Sequence, residues 1–300
     1  MANKKDGKAW VKEIMEKNMN TATPTDCSNF IHKTDKAALD ALKAIPMFDK
    51  ICSKVLSVIN EPLRRVADMA NKIHITEKQM PKIYFMVQSI CKKIGIEMPD
   101  IYLELNREPN AYTYGTERIA LTVNSGLLEC LDDDELYAVL AHECGHIACK
   151  HVLYHTIGHL VIEGGHIAMS KVENILNTTF IGSLFATAVD TTLELAYYHW
   201  KRMSELSADR VAAFCCESAE PVIETMMRLA GGTLHLDEEI DRDLFIEQAE
   251  EYQKMTAGDE LNKALEFWLN CSSSHPLLAV RAQQVRAWAA TPVFNDAIGK

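Results

Sequence analysis

His142-Glu143-Cys144-Gly145-His146 places two imidazoles four residues apart, with a carboxylate directly after the first. On an α-helix this spacing sets both rings on one face, one turn apart, where they can reach a single tetrahedral zinc ion at about 2.0–2.1 Å. Glu143 is rotated about 100° from His142, so its carboxylate can lie beside the metal and contact a water there. The chemistry such a set supports is metal-assisted hydrolysis, with Glu143 as general base. The bland alternative is a pair of surface histidines. Against it, the same stretch is apolar at Leu136, Val139, Leu140 and Ile147, and burying three ionisable groups without a partner is costly.

A helix carrying these residues has a clear start. Asp132 with Glu135 three residues later forms a capping-box pattern, and Asp133 and Asp134 add acids at the positive end of the helix dipole. Zinc needs a third ligand from elsewhere. Ser204-Glu205-Leu206-Ser207-Ala208-Asp209-Arg210 sets Glu205 and Asp209 one turn apart on a second helix. Glu205 is the natural ligand there, and Asp209 can hydrogen-bond a zinc-bound histidine. Asp190, Glu194 and His199 are rivals on geometry alone.

The elements that must position these groups are mostly helical. Residues 1–36 read as a polar N-terminal arm, and residues 37–300 as the catalytic domain with N-terminal accessory helices. Leu39, Leu42 and Ile45 repeat at helical spacing up to Pro46, a second stretch covers Phe48 to Ile73 with a break at Pro62, and a third runs to Ile94 from either Glu77 or Pro81. Between Pro99 and Val123 the period switches to two: Ile101, Leu103 and Leu105 alternate, as do Ile119, Leu121 and Val123, in the manner of half-buried strands. From Asp132 onward the pattern is helical again. The fold class expected is mainly α with a small β-sheet, α+β.

The stretches from Pro109 to His151, Glu205 to Arg210 and Ser274 to Arg281 closely resemble the HtpX-like zinc metallopeptidases, which are related to the CAAX prenyl proteases. The resemblance spans about Lys36 to Arg286. It implies a zincin-like fold in the gluzincin arrangement, with His142, His146 and Glu205 as ligands and Asp209 behind them. It also implies that Asn110-Ala111-Tyr112 is an edge strand that pairs with an extended polypeptide substrate. His275, between Ser274 and Pro276, is then expected near the metal, able to donate a hydrogen bond to a developing oxyanion. An ordinary hairpin strand and a helix-capping histidine are the plain alternatives for these two features. Membrane-bound relatives carry transmembrane helices beside or between these motifs. Here the segment between His146 and Glu205 holds no adequate span, which favours a soluble member acting as an endopeptidase on unfolded or short polypeptides over a prenyl-processing enzyme. A catalytically silent, zinc-stabilised scaffold is the competing function, although a scaffold would have no need of Glu143.

Composition narrows the partners. A formal charge of −11 repels phosphate backbones, so nucleic acid is not expected. Nine cysteines without a CxxC pattern fit reduced thiols, hence a cytoplasmic protein. Met1 to Lys17 carries no apolar run of the secretory kind. The weakly polar stretch from Asn174 to Val189 is too short to span a bilayer and reads as a buried helix ahead of one lying on a membrane surface. His151, His155 and His159 recur every four residues. If the helix continued, His151 would lie about 180° from His142 and face away from the zinc. Cys144 and Cys149 match no ligand position, and Gly145 is expected to permit close packing against a neighbouring element.

Overall fold

The computed structural model describes residues 25–46, 48–58, 61–160, 191–231, 239–256, 275 and 277–299. The stretch from Asn174 to Val189, the rival ligand Asp190, and Ser274 and Pro276 lie outside them. A 3-10 turn at Cys27–Phe30 leads into α1 (Lys33–Lys43), α2 (Phe48–Val58) and α3 (Glu61–Asn71). Then come β1 (Ile73–Ile75), α4 (Pro81–Ile94), β2 (Asp100–Glu104), β3 (Ala111–Tyr114) and β4 (Ala120–Asn124). The described residues that follow form helices: α5 (Ser125–Cys130), α6 (Asp133–Ala148), α7 (Val152–Gly158), α8 (Thr191–Cys216), α9 (Glu220–Ala230), α10 (Arg242–Thr256), α11 (Leu278–Ala289) and α12 (Pro292–Ala297).

The strands form one mixed sheet in the order β1-β2-β4-β3. β2 runs parallel to β4, with Leu103 opposite Val123, and β3 returns antiparallel with Ala111 opposite Val123. β3 is therefore an edge, and its side chains alternate: Ala111 and Thr113 point into the protein while Tyr112 and Tyr114 are half-buried on the other face. Lys72 holds that outer face. Its ammonium donates to the hydroxyls of Tyr112, Tyr114 and Thr122 at 3.2, 3.3 and 3.2 Å. β4 differs from the half-buried strand its alternation suggested, because an inner position in the sheet buries all five of its residues.

Two apolar clusters surround this frame. The larger joins α4, the sheet, α6, the C-terminal half of α8, α9 and α11 through residues such as Met86, Leu121, Leu140, Val211, Ile223 and Val285. The smaller packs α1, α2, α7 and the N-terminal half of α8 around Trp200. Residues 25–36, grouped by sequence with the polar arm, are packed in place. Cys27 and Phe30 belong to the larger core, and His32 and Asp35 are buried. Two apolar side chains among polar neighbours carry no periodicity, so the sequence gives no sign of this docking. The helix start left open between Glu77 and Pro81 falls at Pro81, with Met80 in the left-handed conformation before it. Among the described residues, no helix is long and apolar enough to cross a membrane.

Candidate metal centre

α6 begins at the expected capping box. Asp132 Oδ1 accepts from the backbone N–H of Asp134 and Glu135 at 3.0 and 2.9 Å, and Glu135 Oε2 accepts from Asp132 N–H at 2.9 Å. The buried Glu135 also receives Arg228 of α9, Nη2 to Oε1 at 2.9 Å. That fixes the start of the helix, so its later turns present His142, Glu143 and His146 inward, all three buried. Against them lies α8. Gly145 makes the approach possible: a Cβ there would sit 3.0 Å from the carbonyl oxygen of Ala208 and 3.1 Å from its Cα. Cys144 and Cys149 are buried, as expected of packed thiols.

The close approach brings the two helices' polar groups together. His142 Nε2 and His146 Nε2 are 3.1 Å apart, and Glu205 places Oε2 3.4 Å from the first and Oε1 3.3 Å from the second. Each separation is of the size found between two ligand atoms that stand about 2.0–2.1 Å from one tetrahedral zinc ion, with Glu205 turning a different oxygen to each ring. On α8, His199 is exposed, whereas Glu205 meets both rings. Asp209, one turn further, has Oδ1 2.9 Å from His142 Nδ1. A carboxylate there holds the hydrogen on Nδ1 and leaves Nε2 bare for a cation.

Glu143 and His275 share the space. Ligand atoms of His142, Glu143, His146 and His275 all lie within 4.8 Å of one another. By proximity alone, Glu143 and His275 stand beside Glu205 as candidate ligands, and each makes its own contacts. His275 places Nδ1 2.8 Å from Glu205 Oε2, with Nε2 3.8 Å from Glu143 Oε1 and 3.4 Å from the carbonyl oxygen of Ala111 on the edge strand. Glu143 Oε2 accepts from Thr113 Oγ1 at 3.2 Å, and its Oε1 is buried without a hydrogen-bond partner. A buried carboxylate oxygen in that state faces a space that awaits a donor.

Charge tells the same story. Among the described residues, and with neutral imidazoles, the buried carboxylates of Glu143, Glu205 and Asp209 face one guanidinium, Arg281, an excess of two negative charges that a divalent cation would cancel. Arg281 reaches both acids of α8, with Nη1 2.9 Å from Glu205 Oε2 and two hydrogen bonds to Asp209. Burial pushes the Glu205 and Asp209 carboxyls up. For Glu205, His275, Arg281 and the two imidazoles outweigh burial, and for Asp209, Arg281 and His142 do, so both remain well disposed to ionise. Glu143 ends above the usual carboxylate range, because burial is only partly offset by His275 and His142. The imidazoles diverge. Burial holds His142 down, but Asp209 and Glu205 together lift it to about 9, whereas burial keeps His146 at about 3 despite Glu205.

His151 departs from its expected place. The α6 helix does not continue: Lys150 adopts φ 63°, and His151 N–H bonds back to the His146 carbonyl at 2.9 Å while Lys150 N–H bonds to Ile147 at 3.0 Å. This is a Schellman ending with lysine at the left-handed position. It returns His151 toward the site, buried, with Nδ1 3.0 Å from His146 Nδ1. Thr113 was also missed, and only its register on β3 opposite Leu121 marks it.

A buried two-histidine helix crossed by a glutamate-bearing helix, beside the edge strand of a sheet, defines the class of the helical metallopeptidases. Residues 77–289 match the model of peptidase family M48, and the chain belongs to that family as an HtpX-like metallopeptidase. It is similar to the plastoglobule-localized metallopeptidase 48, chloroplastic, of Arabidopsis thaliana, at 27% identity over 266 residues, covering 88% of this chain and 73% of that one. It is also similar to the protease HtpX homolog of Sulfurihydrogenibium sp. (strain YO3AOP1), 39% identical over 110 residues, and to that of Ralstonia pickettii (strain 12J), 34% identical over 96 residues. These alignments cover 36% of the chain and 36% of the first homolog, and 31% of the chain and 34% of the second, so the chain matches about a third of each.

Proposed function

We propose that this chain is a zinc-dependent endopeptidase with His142, His146 and Glu205 as ligands and Glu143 as general base. The observation that carries the reading is the convergence of the two Nε2 atoms, 3.1 Å apart, with the Glu205 carboxylate, which turns one oxygen to each ring at 3.4 and 3.3 Å. When bound there, zinc supplies Lewis-acid polarisation of a carbonyl and a lowered pKa for water. Glu143, raised above the ordinary carboxylate range and free at Oε1, takes the proton of the attacking water and delivers it to the leaving amine. Asp209 keeps His142 in the tautomer with Nε2 bare. His275 turns Nε2 toward the edge strand; carrying a hydrogen on both ring nitrogens, with Nδ1 donating to Glu205, it would donate from Nε2 to the oxygen that gains charge at the scissile carbon.

The substrate is an extended polypeptide that adds to β3, with the carbonyl of Ala111 receiving its backbone, Asn110 tied to β4 at the strand's entry and Tyr112 on the outer face. A pocket beside His142 and Glu143, lined by Leu127, Val139, Val222, Met226 and Leu278, takes an apolar side chain next to the cut. None of the eight described cysteines is in a disulfide, which fits work in a reducing compartment such as the cytoplasm.

The test combines metal analysis with cleavage of an unfolded protein substrate by the wild type, the chelated enzyme and Glu143→Gln. The expected result is one zinc per chain in the wild type and in Glu143→Gln, with chelator-sensitive cleavage by the wild type only. Zinc without cleavage across many unfolded substrates would make the chain a scaffold, and no zinc at all would remove the reading.

A further inference from the structure

We propose that Asp35, acting through His151, is a positioning residue that fixes the tautomer and ring orientation of His146 and thereby sets the affinity of the centre for its metal. The inference rests on the reading of His146 as a ligand and extends it to an element outside residues 77–289, the part that matches the family model.

Three buried side chains stand in line. Asp35 Oδ2 lies 2.9 Å from His151 Nε2, and His151 Nδ1 lies 3.0 Å from His146 Nδ1. Asp35 and His151 are each 1% exposed, so water does not compete for these contacts. Asp35 accepts from Ser207 Oγ at 2.6 Å and from Trp200 Nε1 at 3.1 Å as well, both on α8. Burial works against its ionisation, but the hydrogen bonds from His151, Ser207 and Trp200 outweigh it.

The proton order follows from the acceptor at the end. A carboxylate only accepts, so the hydrogen on neutral His151 sits at Nε2, which leaves His151 Nδ1 bare. Two ring nitrogens 3.0 Å apart need one hydrogen between them, and His146 Nδ1 must supply it. His146 Nε2 is then bare and points at His142 Nε2 and Glu205 Oε1. For His142 the same service comes from Asp209 in one step. For His146 it takes two steps, and the last group sits on α1, which is docked on α8 by Ser207: besides donating to Asp35, the Ser207 hydroxyl accepts the backbone N–H of His32 at 2.9 Å. Partners of metal-bound histidines are typically worth 10–100-fold in affinity.

Zinc affinity measured by competition with a chromophoric chelator, on the full chain, tests the proposal. Asp35→Ala and His151→Ala are each expected to raise the zinc Kd about 10–100-fold, and Asp35→Asn, whose amide oxygen can still accept from His151, by less. Because the two act in series, the Asp35→Ala/His151→Ala double variant is expected to bind no worse than His151→Ala alone. The cobalt-substituted absorption spectrum should shift in the same variants, which a general loss of stability would not produce. Losses that add, or an Asp35→Ala protein that is folded and binds zinc as the wild type does, would overturn the relay. Should Asp35→Ala not fold, Asp35→Asn against His151→Gln, with their double variant, makes the same comparison. A His142→Ala protein that binds zinc as tightly as the wild type would instead sink the ligand reading, leaving the two failures distinct.

Discussion

Arg281 grips Asp209 with two parallel hydrogen bonds, Nε to Oδ2 at 2.8 Å and Nη2 to Oδ1 at 2.6 Å. The fork is the strong geometry of guanidinium with carboxylate, and here it is fully buried. The same side chain leaves Nη1 at 2.9 Å from Glu205, so one residue of α11 bridges both acids that α8 sends toward the histidines.

Replacing Arg281 by alanine leaves two buried carboxylates without their cation. Breaking a buried pair from one side costs about 3–5 kcal/mol. Urea unfolding of Arg281→Ala should show a loss of that size, and an unchanged midpoint would mean that the fork contributes nothing to stability. Arg281→Lys should recover only part of it, since an ammonium cannot reproduce the planar fork.

His275→Ala should lower kcat by about 10²–10³-fold, the usual cost of losing an oxyanion donor, with a small change in KM. The expectation comes from the position of its Nε2, 3.4 Å from the carbonyl of Ala111 on the edge where substrate would lie. Steady-state kinetics together with zinc content check it. A fall in zinc content that matches the loss of rate would assign His275 to holding Glu205, to which Nδ1 is bonded at 2.8 Å, and not to the reaction.

Much of this centre can be read from spacing alone, because a helix converts separations of three and four residues into a shared face. His142 with His146, Glu205 with Asp209, and Asp132 with Glu135 are all of this kind, and the helices formed where those patterns stand. What spacing cannot convey is where the chain leaves a pattern. His151 was assigned to the far face of a continuing helix. The left-handed turn at Lys150 is usually marked by glycine, and lysine gives no such signal. Asp35 is harder still, since it meets His151 across 116 positions of sequence, and nothing local links α1 to the metal helix. The parallel pairing of β2 with β4 and the three-residue β1 escaped for related reasons: one is a long-range choice of partner, the other is too short to show alternation.

Gly145→Ala tests how tightly α6 must lie on α8. The added methyl would meet the Ala208 carbonyl oxygen at 3.0 Å and Val211 Cβ at 3.1 Å, both on the face of α8 that packs against α6. Overpacking of this sort costs about 1–3 kcal/mol. Because the two helices carry opposite halves of the ligand set, separating them by a few tenths of an ångström should also weaken zinc binding. Denaturation and chelator competition on the same variant should therefore move together, and a loss of stability with unchanged zinc affinity would show that the ligand set tolerates the shift.

Glu61 gives a prediction with a pH signature. From the first turn of α3 its carboxylate accepts the backbone N–H groups of Thr116, Glu117 and Arg118 at 2.7, 2.9 and 3.1 Å, holding the turn between β3 and β4. Burial raises the pKa of this group, but the bonds from Thr116 and its neighbours outweigh that and leave it below the ordinary glutamate value of about 4.3. A depressed carboxyl contributes stability that is present above its unfolded value and lost as pH falls through the folded one. Glu61→Gln should thus destabilise the protein at neutral pH by about 1 kcal/mol, a modest figure because the site is largely open to solvent. The difference from wild type should shrink as pH drops below the ordinary glutamate range. Melting temperatures of both proteins across that range provide the check. A gap that stays constant with pH would mean that the turn is held by the shape of the side chain and not by its charge. If the turn also sets the register of the substrate edge, KM for an extended peptide should rise in Glu61→Gln while kcat holds.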